Sequence, residues 1–174
     1  MFASLIRKLF ITIVTCCMGL SAFYLAGFRV NVSQSMPIGI WRIEPKRKLK
    51  RGDIVWFCPP DTEVFQLAKR RGYIPAGGCP GGYAHLLKHL VAVGGDKVTL
   101  NPKGLWVNGK AIQNSRPRTK DSFRRPMPLS LGSRVIPKHS IWLMAEHSNS
   151  FDSRYFEEIS KKVISETAQP VLTW

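Results

Sequence analysis

Two segments of the sequence carry residues that together could form an activated serine nucleophile. The first is residues 33–39, which include Ser35, and the second is residues 86–93, which include Lys88. A serine hydroxyl attacks a carbonyl carbon efficiently only when a neighbouring base removes its proton. Besides Lys88, the side chains that could act as that base are His85, His89, His139 and His147.

The position of Lys88 in its segment makes it a candidate for the base. If residues 86–93 form a strand, alternate side chains share a face, so Lys88 lies with Leu86, Leu90 and Ala92. Apolar neighbours withdraw water from the charged amine, which lowers its pKa and favours a neutral amine that can accept a proton. The alternatives are a protective charge on an edge strand or an amine that extends into solvent.

A charge-free segment of twenty residues, 9–28, precedes the serine-containing run and is long enough to cross a bilayer as one helix. Seven extended residues reach at most about 25 Å. Ser35 would therefore lie close to the membrane surface, where its hydroxyl could act on a bond just outside the bilayer. These features together predict a membrane-tethered serine peptidase.

The same segment could instead be a signal peptide that is removed. The apolar part of a signal peptide normally spans 7–15 residues and ends at a small-x-small cleavage site. Residues 21–26 offer only a poor version of that site. We therefore expect a cytoplasmic N-terminus at 1–8, a retained anchor at 9–28, and one compact domain at 29–174.

The chain is strongly basic, with 26 Lys and Arg, 11 Asp and Glu, and a formal net charge of +15. Much of the charge lies in three runs, 46–51, 69–71 and 116–125. Such runs form either a solvated face or a contact with anionic lipid head groups or nucleic acid. No aromatic ladder or DNA-reading motif interleaves with them, so we expect membrane lipids and no specific nucleic acid as partners.

Cys58 and Cys79 are the two cysteines of the predicted soluble domain, since Cys16 and Cys17 fall in the apolar segment. A disulfide between Cys58 and Cys79 would close a loop of roughly twenty residues and contribute about 3 kcal/mol. Such a bond requires an oxidising compartment. A zinc site is the rival interpretation, but the two thiols lack C-x-x-C spacing.

Short runs rich in branched and aromatic residues predict a mainly β domain. Asn108-Gly109 is typical of a type I′ hairpin turn. Residues 58–84 and 113–137 do not alternate and are predicted as excursions from the sheet, the second as an extended surface loop. Residues 155–174 could form a short helix or a closing strand. The predicted strands are 38–43, 53–57, 86–93, 97–100, 105–107, 110–112 and 140–145.

The sequence resembles the membrane-bound signal peptidases that use a serine-lysine dyad, most closely the TraF-type conjugative-transfer peptidases. The matching blocks are Ser-Gln-Ser-Met-Pro-Ile-Gly at 33–39, the lysine block at 86–98, and Ser-Asn-Ser-Phe-Asp-Ser-Arg-Tyr-Phe at 148–156. Adjacent Met36 and Pro37, and Cys-Pro-Gly-Gly at 79–82, favour the TraF branch. The sequence departs from the usual family pattern at two of these places. Gly94 stands where a Pro is more usual, and Glu157 stands where a Gly often follows the Tyr-Phe pair.

The resemblance implies roles for individual residues. Ser35 matches the nucleophile and Lys88 the general base, while the Ser33 hydroxyl and the Ser35 backbone N–H match the oxyanion hole. Each such donor is typically worth about 3 kcal/mol in the transition state. Ser150 matches a residue that orients the lysine amine.

In the same block, Asp152 and Arg154 resemble the family's structural acid-base pair. The implied fold is the mainly antiparallel β architecture of this family behind one N-terminal transmembrane helix. No metal or organic cofactor is implied.

The resemblance also implies a location and a substrate. The anchor would make one pass through the bacterial inner membrane, and the active domain would face the periplasm. The substrate would be a precursor protein with small residues near the cleaved bond, a conjugative pilin or another component of the transfer apparatus. The acyl-enzyme could pass to water or to an amine of the same peptide, which would cyclise the pilin.

Two other functions remain open from the sequence. One is a general type I leader peptidase for exported preproteins. The other is a catalytically inert, basic envelope protein of a conjugation channel.

Overall fold

The computed structural model of the chain describes residues 2–174. Its first element is a helix, α1 (Phe2–Leu25), whose segment Ser4–Leu25 is long and apolar enough to cross a membrane. None of that segment is buried against the rest of the protein. α1 is therefore consistent with a single-pass anchor. α1 begins before the start of the predicted anchor 9–28. It also ends before the predicted end of the anchor, because Phe28 is already the first residue of a strand.

The remainder of the described chain is mainly β, as the sequence predicts. Two short α-helices, α2 (Glu63–Arg70) and α3 (Ser153–Phe156), and two 3-10 turns, Pro80–Gly82 and Lys161–Val163, interrupt the strands. The strands are β1 (Phe28–Asn31), β2 (Gly39–Pro45), β3 (Ile54–Phe57), β4 (Ala76–Cys79), β5 (Leu86–Val93), β6 (Lys97–Asn101), β7 (Gly104–Val107), β8 (Lys110–Ile112), β9 (Gly132–Val135), β10 (Ser140–Met144), β11 (Ile159–Ser160) and β12 (Ile164–Thr173).

Two antiparallel sheets contain all of these strands except β4, whose residues form only isolated bridges. The larger has seven strands in the order β1-β2-β12-β3-β5-β10-β11, and the smaller has four in the order β8-β7-β6-β9. β5 spans the predicted bounds and lies between β3 and β10. Its register pairs Lys88 with Val55 on one side and His89 with Met144 on the other. The lysine block therefore lies in the interior of the larger sheet and not at its edge.

The C-terminal segment, which the sequence left open, forms both a helix and a strand. α3 carries Tyr155 and Phe156, and the long strand β12 inserts between β2 and β3. Gly39 makes the β12 pairing possible, because its φ is positive and a Cβ there would collide with the carbonyl oxygen of Leu172. The last residues of the chain thus complete the sheet next to the strand that follows the predicted nucleophile.

Residues 58–84 lie outside both sheets, as predicted for an excursion, but they are not irregular throughout, because they contain α2. Phe65 and Ala68, three positions apart, are buried against the main core, while Glu63 and two basic residues lie at the helix ends that their charges favour. The helix has only eight residues and is flanked by prolines and glycines. It depends on tertiary packing, which sequence periodicity over so short a stretch does not reveal.

Residues 113–137 are a loop for most of their length, but two ordered pieces break the predicted extended conformation. β9 (Gly132–Val135) pairs with β6, and residues 119–127 fold back as a tight hairpin. In that hairpin the N–H of Met127 donates to the carbonyl of Thr119, and the N–H of Asp121 donates to the carbonyl of Arg125, each at 3.0 Å.

Cys58 and Cys79 form the predicted disulfide, which joins the end of β3 to the end of β4. His85 lies beside it, with Nε2 3.4 Å from Cys58 Sγ and its ring stacked on Trp56. Because the two sulfurs are bonded to each other, they are not free thiolate ligands for zinc. The disulfide interpretation is the one that the structure supports.

Candidate active site

The loop that carries Ser35 connects β1 to β2 and is organised by one buried side chain, Asn31. The Asn31 amide Nδ2 donates to the carbonyls of Ser33, Met36 and Pro37 at 2.9–3.1 Å, and its Oδ1 accepts from the Ser33 N–H. Asn31 is 8% exposed. A single amide thus satisfies four backbone groups of a tight loop and holds Ser35 in a defined position. Sequence reasoning missed Asn31, because an asparagine at a strand end is an ordinary turn residue.

The same loop is fixed against β5 and β10. The Ser35 carbonyl accepts from the Glu146 N–H at 3.1 Å, and the Glu146 carboxylate lies 2.8 Å from Nε2 of His89, the neighbour of Lys88. On the other side of Ser35, Met36 is buried in an apolar cluster that includes Leu87. The Ser35 loop is therefore linked to both sequence neighbours of Lys88: to His89 through Glu146, and to Leu87 through the apolar cluster of Met36.

Lys88 is 2% exposed, which matches the predicted apolar face of β5. Burial lowers its pKa from the ordinary 10.5 to about 8, partly offset by the negative charge of Asp152, and the positive charge of Arg154 lowers it further. Leu90, on the same face, is completely buried. The environment therefore disfavours the ammonium form of Lys88 and leaves an appreciable neutral fraction near pH 8.

The Lys88 amine has no partner among the described residues. It forms no side-chain hydrogen bond and no ion pair within residues 2–174, although the residue is only 2% exposed. The chain therefore does not commit Nζ to any fixed neighbour.

The two groups expected to form an oxyanion hole lie side by side. The Ser35 N–H donates to Ser33 Oγ at 3.2 Å, which is at the long end of the range for such a bond. The hydroxyl hydrogen of Ser33 is not committed by that contact. A substrate oxygen could therefore receive the hydroxyl hydrogen directly and compete for the N–H.

Asp152 and Arg154 form a fully buried, two-contact ion pair, with Nε and Nη2 of Arg154 each 2.8 Å from a carboxylate oxygen. Asp152 also accepts from the Ala145 N–H, and Arg154 donates to the carbonyls of Ser150 and Arg116. The pair ties the end of β10 to the block that contains Ser150. It is positioned to hold this region together without touching solvent.

Ser150 is 7% exposed, and its hydroxyl forms no hydrogen bond with the described residues. Its expected role in orienting the lysine stays a prediction.

A cleft of about 350 Å³ collects the sequence-predicted serines in one place. Ser33, Ser35 and Ser150 all line it. Lys88 is buried and is not among the residues that line the cleft. The other lining residues come from the Ser35 loop, the residues just after α2, the 118–127 stretch and the 147–155 segment: Gln34, Gly72, Tyr73, Arg118, Lys120, Asp121, Ser122, Met127, His147, Asn149, Phe151 and Tyr155.

Sequence reasoning missed most of this wall. The proline-rich basic run 116–125 was the only sequence signal for this wall. It predicted a surface loop but not that the loop would lie beside Ser35.

The candidate histidine bases are distributed differently. His147 lines the cleft, with its ring Nδ1 accepting from the Asn149 N–H at 3.2 Å. His89 is engaged with Glu146, His85 lies beside the disulfide, and His139 is exposed after β9. His147 is thus the one histidine of the described chain that shares the cleft with Ser35, and it is the rival to Lys88.

Comparison with known proteins decides the family. The family model described as "Signal peptidase, peptidase S26" matches residues 3–174. The chain belongs to the S26 signal peptidase family. Its relatives include a plasmid transfer protein TraF from Escherichia coli, 38% identical over 156 residues, which are 88% of this chain and 87% of the relative.

Two further relatives are named as conjugal transfer proteins. A probable conjugal transfer protein TraF from Sinorhizobium fredii is 40% identical over 157 residues, covering 89% of this chain and 82% of the relative. A conjugal transfer protein TraF from Agrobacterium fabrum is 35% identical over 151 residues, covering 86% and 85%. The predicted resemblance to signal peptidases and to TraF is therefore confirmed.

Among solved structures, a signal peptidase I from Enterococcus faecalis aligns with 73% of this chain and 98% of its own, with a TM-score of 0.37 and 18% identity. That likeness is too low to bear on the function of this S26 member.

Proposed function

We propose that this S26 family member is a membrane-anchored serine endopeptidase in which Ser35 is the nucleophile and Lys88 the general base. The observation that carries the proposal is Lys88 itself. It is an amine buried in the sheet without a hydrogen-bond partner among the described residues, its pKa is lowered to about 8, and it lies beside residues that fix the Ser35 loop. A buried lysine of this kind costs stability, so a catalytic task gives it a reason to be there.

The proposed reaction needs no group beyond the chain and its substrate. Neutral Nζ of Lys88 accepts the hydroxyl proton of Ser35 as the serine oxygen bonds to the scissile carbonyl carbon. The carbonyl oxygen becomes negative and receives hydrogen bonds from the Ser33 hydroxyl and the Ser35 N–H. Lys88 then gives its proton to the leaving amine as the C–N bond breaks, which leaves an acyl-enzyme on Ser35 that water or an amine resolves.

The proposed substrate is a precursor that a conjugation system exports, such as a pilin subunit. Support comes from relatives that are named as plasmid or conjugal transfer proteins and match more than four-fifths of the chain. An anchor formed by α1 would keep Ser35 near the bilayer, where a membrane-inserted precursor presents its cleavage site. The Cys58–Cys79 disulfide fits a domain in the periplasm, because such bonds persist in oxidising compartments.

The decisive experiment is co-expression of each variant with the candidate prepilin, followed by mass measurement of the pilin product. We expect Ser35→Ala and Lys88→Ala to lower processing by at least about a thousandfold, since a nucleophile and its base act as a unit. His147→Ala tests the rival base and should retain most processing. Lys97→Ala, at an exposed lysine of β6, is the matched control. The product mass also distinguishes hydrolysis from cyclisation.

Processing that survives in Ser35→Ala or Lys88→Ala would reject the assignment. Loss in His147→Ala, with Lys88→Ala active, would move the base to the histidine. If both dyad variants support normal DNA transfer and only neutralisation of residues 46–51 impairs it, the protein acts as a basic envelope component instead.

A further inference from the structure

The charged side chains in the cleft do not balance. Those that line it among the described residues are Arg118, Lys120 and Asp121. Asp121 is already neutralised, because its carboxylate accepts from the Tyr73 hydroxyl and from Nε of Arg125, each at 2.6 Å. Burial favours the protonated acid, but these hydrogen bonds and those from backbone N–H groups hold the pKa of Asp121 far below its usual range. Asp121 is therefore not available to pair with the two cations.

Arg118 and Lys120 have no anionic partner among the described residues. Arg118 donates from Nη1 to the neutral amide oxygen of Asn149 at 2.9 Å, which leaves its other N–H groups free. Lys120 forms no side-chain hydrogen bond or ion pair within residues 2–174. Both are exposed and line the cleft that contains Ser35, and both also line a neighbouring pocket formed with Pro102. The cleft thus presents two unpaired positive charges at the place where a peptide would have to lie.

Arg118 is held in place by the rest of the site. Its backbone N–H donates to the hydroxyl of buried Tyr155 at 2.8 Å. Two residues earlier, the carbonyl of Arg116 accepts from Nη1 of Arg154, so the buried ion pair that supports the Ser150 block also fixes this strand of the loop.

Lys120 lies on the 119–127 hairpin, which is equally well tied. Asp121 caps the hairpin through the backbone N–H groups of Phe123 and Arg125. Arg71, at the end of α2, donates to the Pro126 carbonyl at 2.7 Å. The positive charges are therefore mounted on ordered backbone and not on a free loop.

We propose that Arg118 and Lys120 form a carboxylate-binding subsite, so that the substrate carries a carboxylate close to the bond that Ser35 attacks. This inference rests on the proposed peptidase function and adds a substrate class to it. A guanidinium with free N–H groups binds a carboxylate through two parallel hydrogen bonds, and a nearby ammonium adds a second charge. The floor beside them is apolar, with Tyr73, Met127 and Phe151 in the lining.

The carboxylate could belong to an Asp or Glu side chain or to the free end of a peptide. A lipid phosphate is the rival ligand for the same charges. The cleft favours a peptide, because Ser35 must share it with the substrate backbone, and the exposed basic run 46–51 lies outside this lining.

The test is peptide binding to the full-length Ser35→Ala protein in neutral detergent micelles. The probes are short fluorescent peptides with a central Ala-Ala pair, in which Glu, Gln or Lys occupies one flanking position at a time, each with a free or amidated C-terminus. At one or more positions we expect Glu to bind about tenfold tighter than Gln, and Lys weaker still. A preference that appears only with the free C-terminus would assign the carboxylate to the chain end.

Adding Arg118→Gln and Lys120→Gln to that protein should remove the preference. Lys110→Gln with Lys138→Gln, at two exposed lysines outside the cleft lining, should leave it intact. Salt should weaken the preference as well, because exposed charges are screened.

Equal affinity for Glu and Gln peptides at every position, including no measurable binding, would overturn the subsite. So would a preference that survives the Arg118 and Lys120 replacements. Binding to phosphatidylcholine vesicles, with and without phosphatidylglycerol, is measured for the protein before and after the Arg118 and Lys120 replacements. If the replacements weaken only the binding to anionic vesicles and leave peptide binding unchanged, the charges belong to a lipid site and the proposal is overturned. Because binding needs no Ser35 hydroxyl, the subsite and the proposed catalysis can fail independently.

Discussion

Asp152 influences the pKa of two buried basic residues of the described chain, Arg154 and Lys88, and the two have opposite environments. Arg154 is fully buried, forms two contacts with Asp152 and donates to two backbone carbonyls. Burial opposes its charge, but the hydrogen bonds and charge of Asp152 outweigh burial and raise its pKa. Lys88 is 2% exposed, has no hydrogen-bond partner among the described residues, and has its pKa lowered to about 8.

The difference separates a cation whose hydrogen bonds the chain itself supplies from an amine that the chain leaves without a partner. The partners of the Arg154 guanidinium are all groups of the chain itself: the Asp152 carboxylate and the carbonyls of Ser150 and Arg116. Its charge therefore stabilises the arrangement of β10, α3 and the 116–118 loop. The charge of Asp152 acts on Lys88 without a hydrogen bond between the two side chains, so the Lys88 amine has no fixed partner. Since an unsatisfied buried amine is costly, the two residues should respond in opposite ways to substitution.

The largest expected change is the loss of stability in Arg154→Met. The replacement leaves Asp152 buried without its partner, so we expect the free energy of unfolding to fall by about 3–5 kcal/mol. The control is Arg47→Met, which breaks an exposed ion pair with Glu44 and should cost less than about 1 kcal/mol. Urea unfolding of both variants in detergent measures the two losses. Equal losses would contradict the structural role of the buried pair.

Replacement of Lys88 by methionine should have the opposite sign. Folding lowers the lysine pKa from 10.5 to about 8, so the folded chain binds fewer protons and loses stability as pH falls from 10.5 toward 8. Below pH 8 the cost is fully present and corresponds to roughly 3 kcal/mol. Lys88→Met should therefore raise the free energy of unfolding by up to that amount at pH 7 while abolishing processing. The gain should vanish near pH 11, and a variant destabilised at pH 7 would argue against the desolvated amine.

The smallest change sharpens the comparison through pH alone. A base must be neutral to act, so the kcat/KM for precursor cleavage should fall about tenfold per pH unit below the Lys88 pKa of about 8 and level off above it. The profile should persist in His147→Asn, which removes the histidine that lines the cleft. A profile whose midpoint lies well below pH 8 and that disappears in this variant would point to the histidine.

Several local features were predictable because they depend on neighbours in the sequence. The Asn108-Gly109 turn has positive φ at both residues, as a type I′ hairpin requires, and it joins β7 to β8 at the predicted place. The alternation of residues 86–93 predicted both the strand and the burial of Lys88 on its apolar face. Both features follow from short patterns, the alternation of side chains along a strand and the preference of Asn-Gly for a tight turn, and a short segment is enough to show them.

Other features depended on contacts between distant residues and were missed or left open. α2 has only eight residues, and its helix is stabilised by burial of Phe65 and Ala68 against the main core. The wall of the cleft was read only as a basic loop, since nothing near Arg118 in sequence announces its bonds to Asn149 and Tyr155. The final strand was ambiguous until its partners, β2 and β3, were known.

The sequence alone determined the S26 signature, the apolar N-terminal segment, the mainly β character and the candidate serine and lysine, because each is written in residue types over a short span. The tertiary structure alone decided how strongly Lys88 is desolvated, that Asn31 and Glu146 fix the serine loop, and that Arg118 and Lys120 stand unpaired in the cleft. Those properties arise from burial and hydrogen bonds between residues far apart in the chain, and they exist only once β5, β10 and β12 have closed the sheet around them.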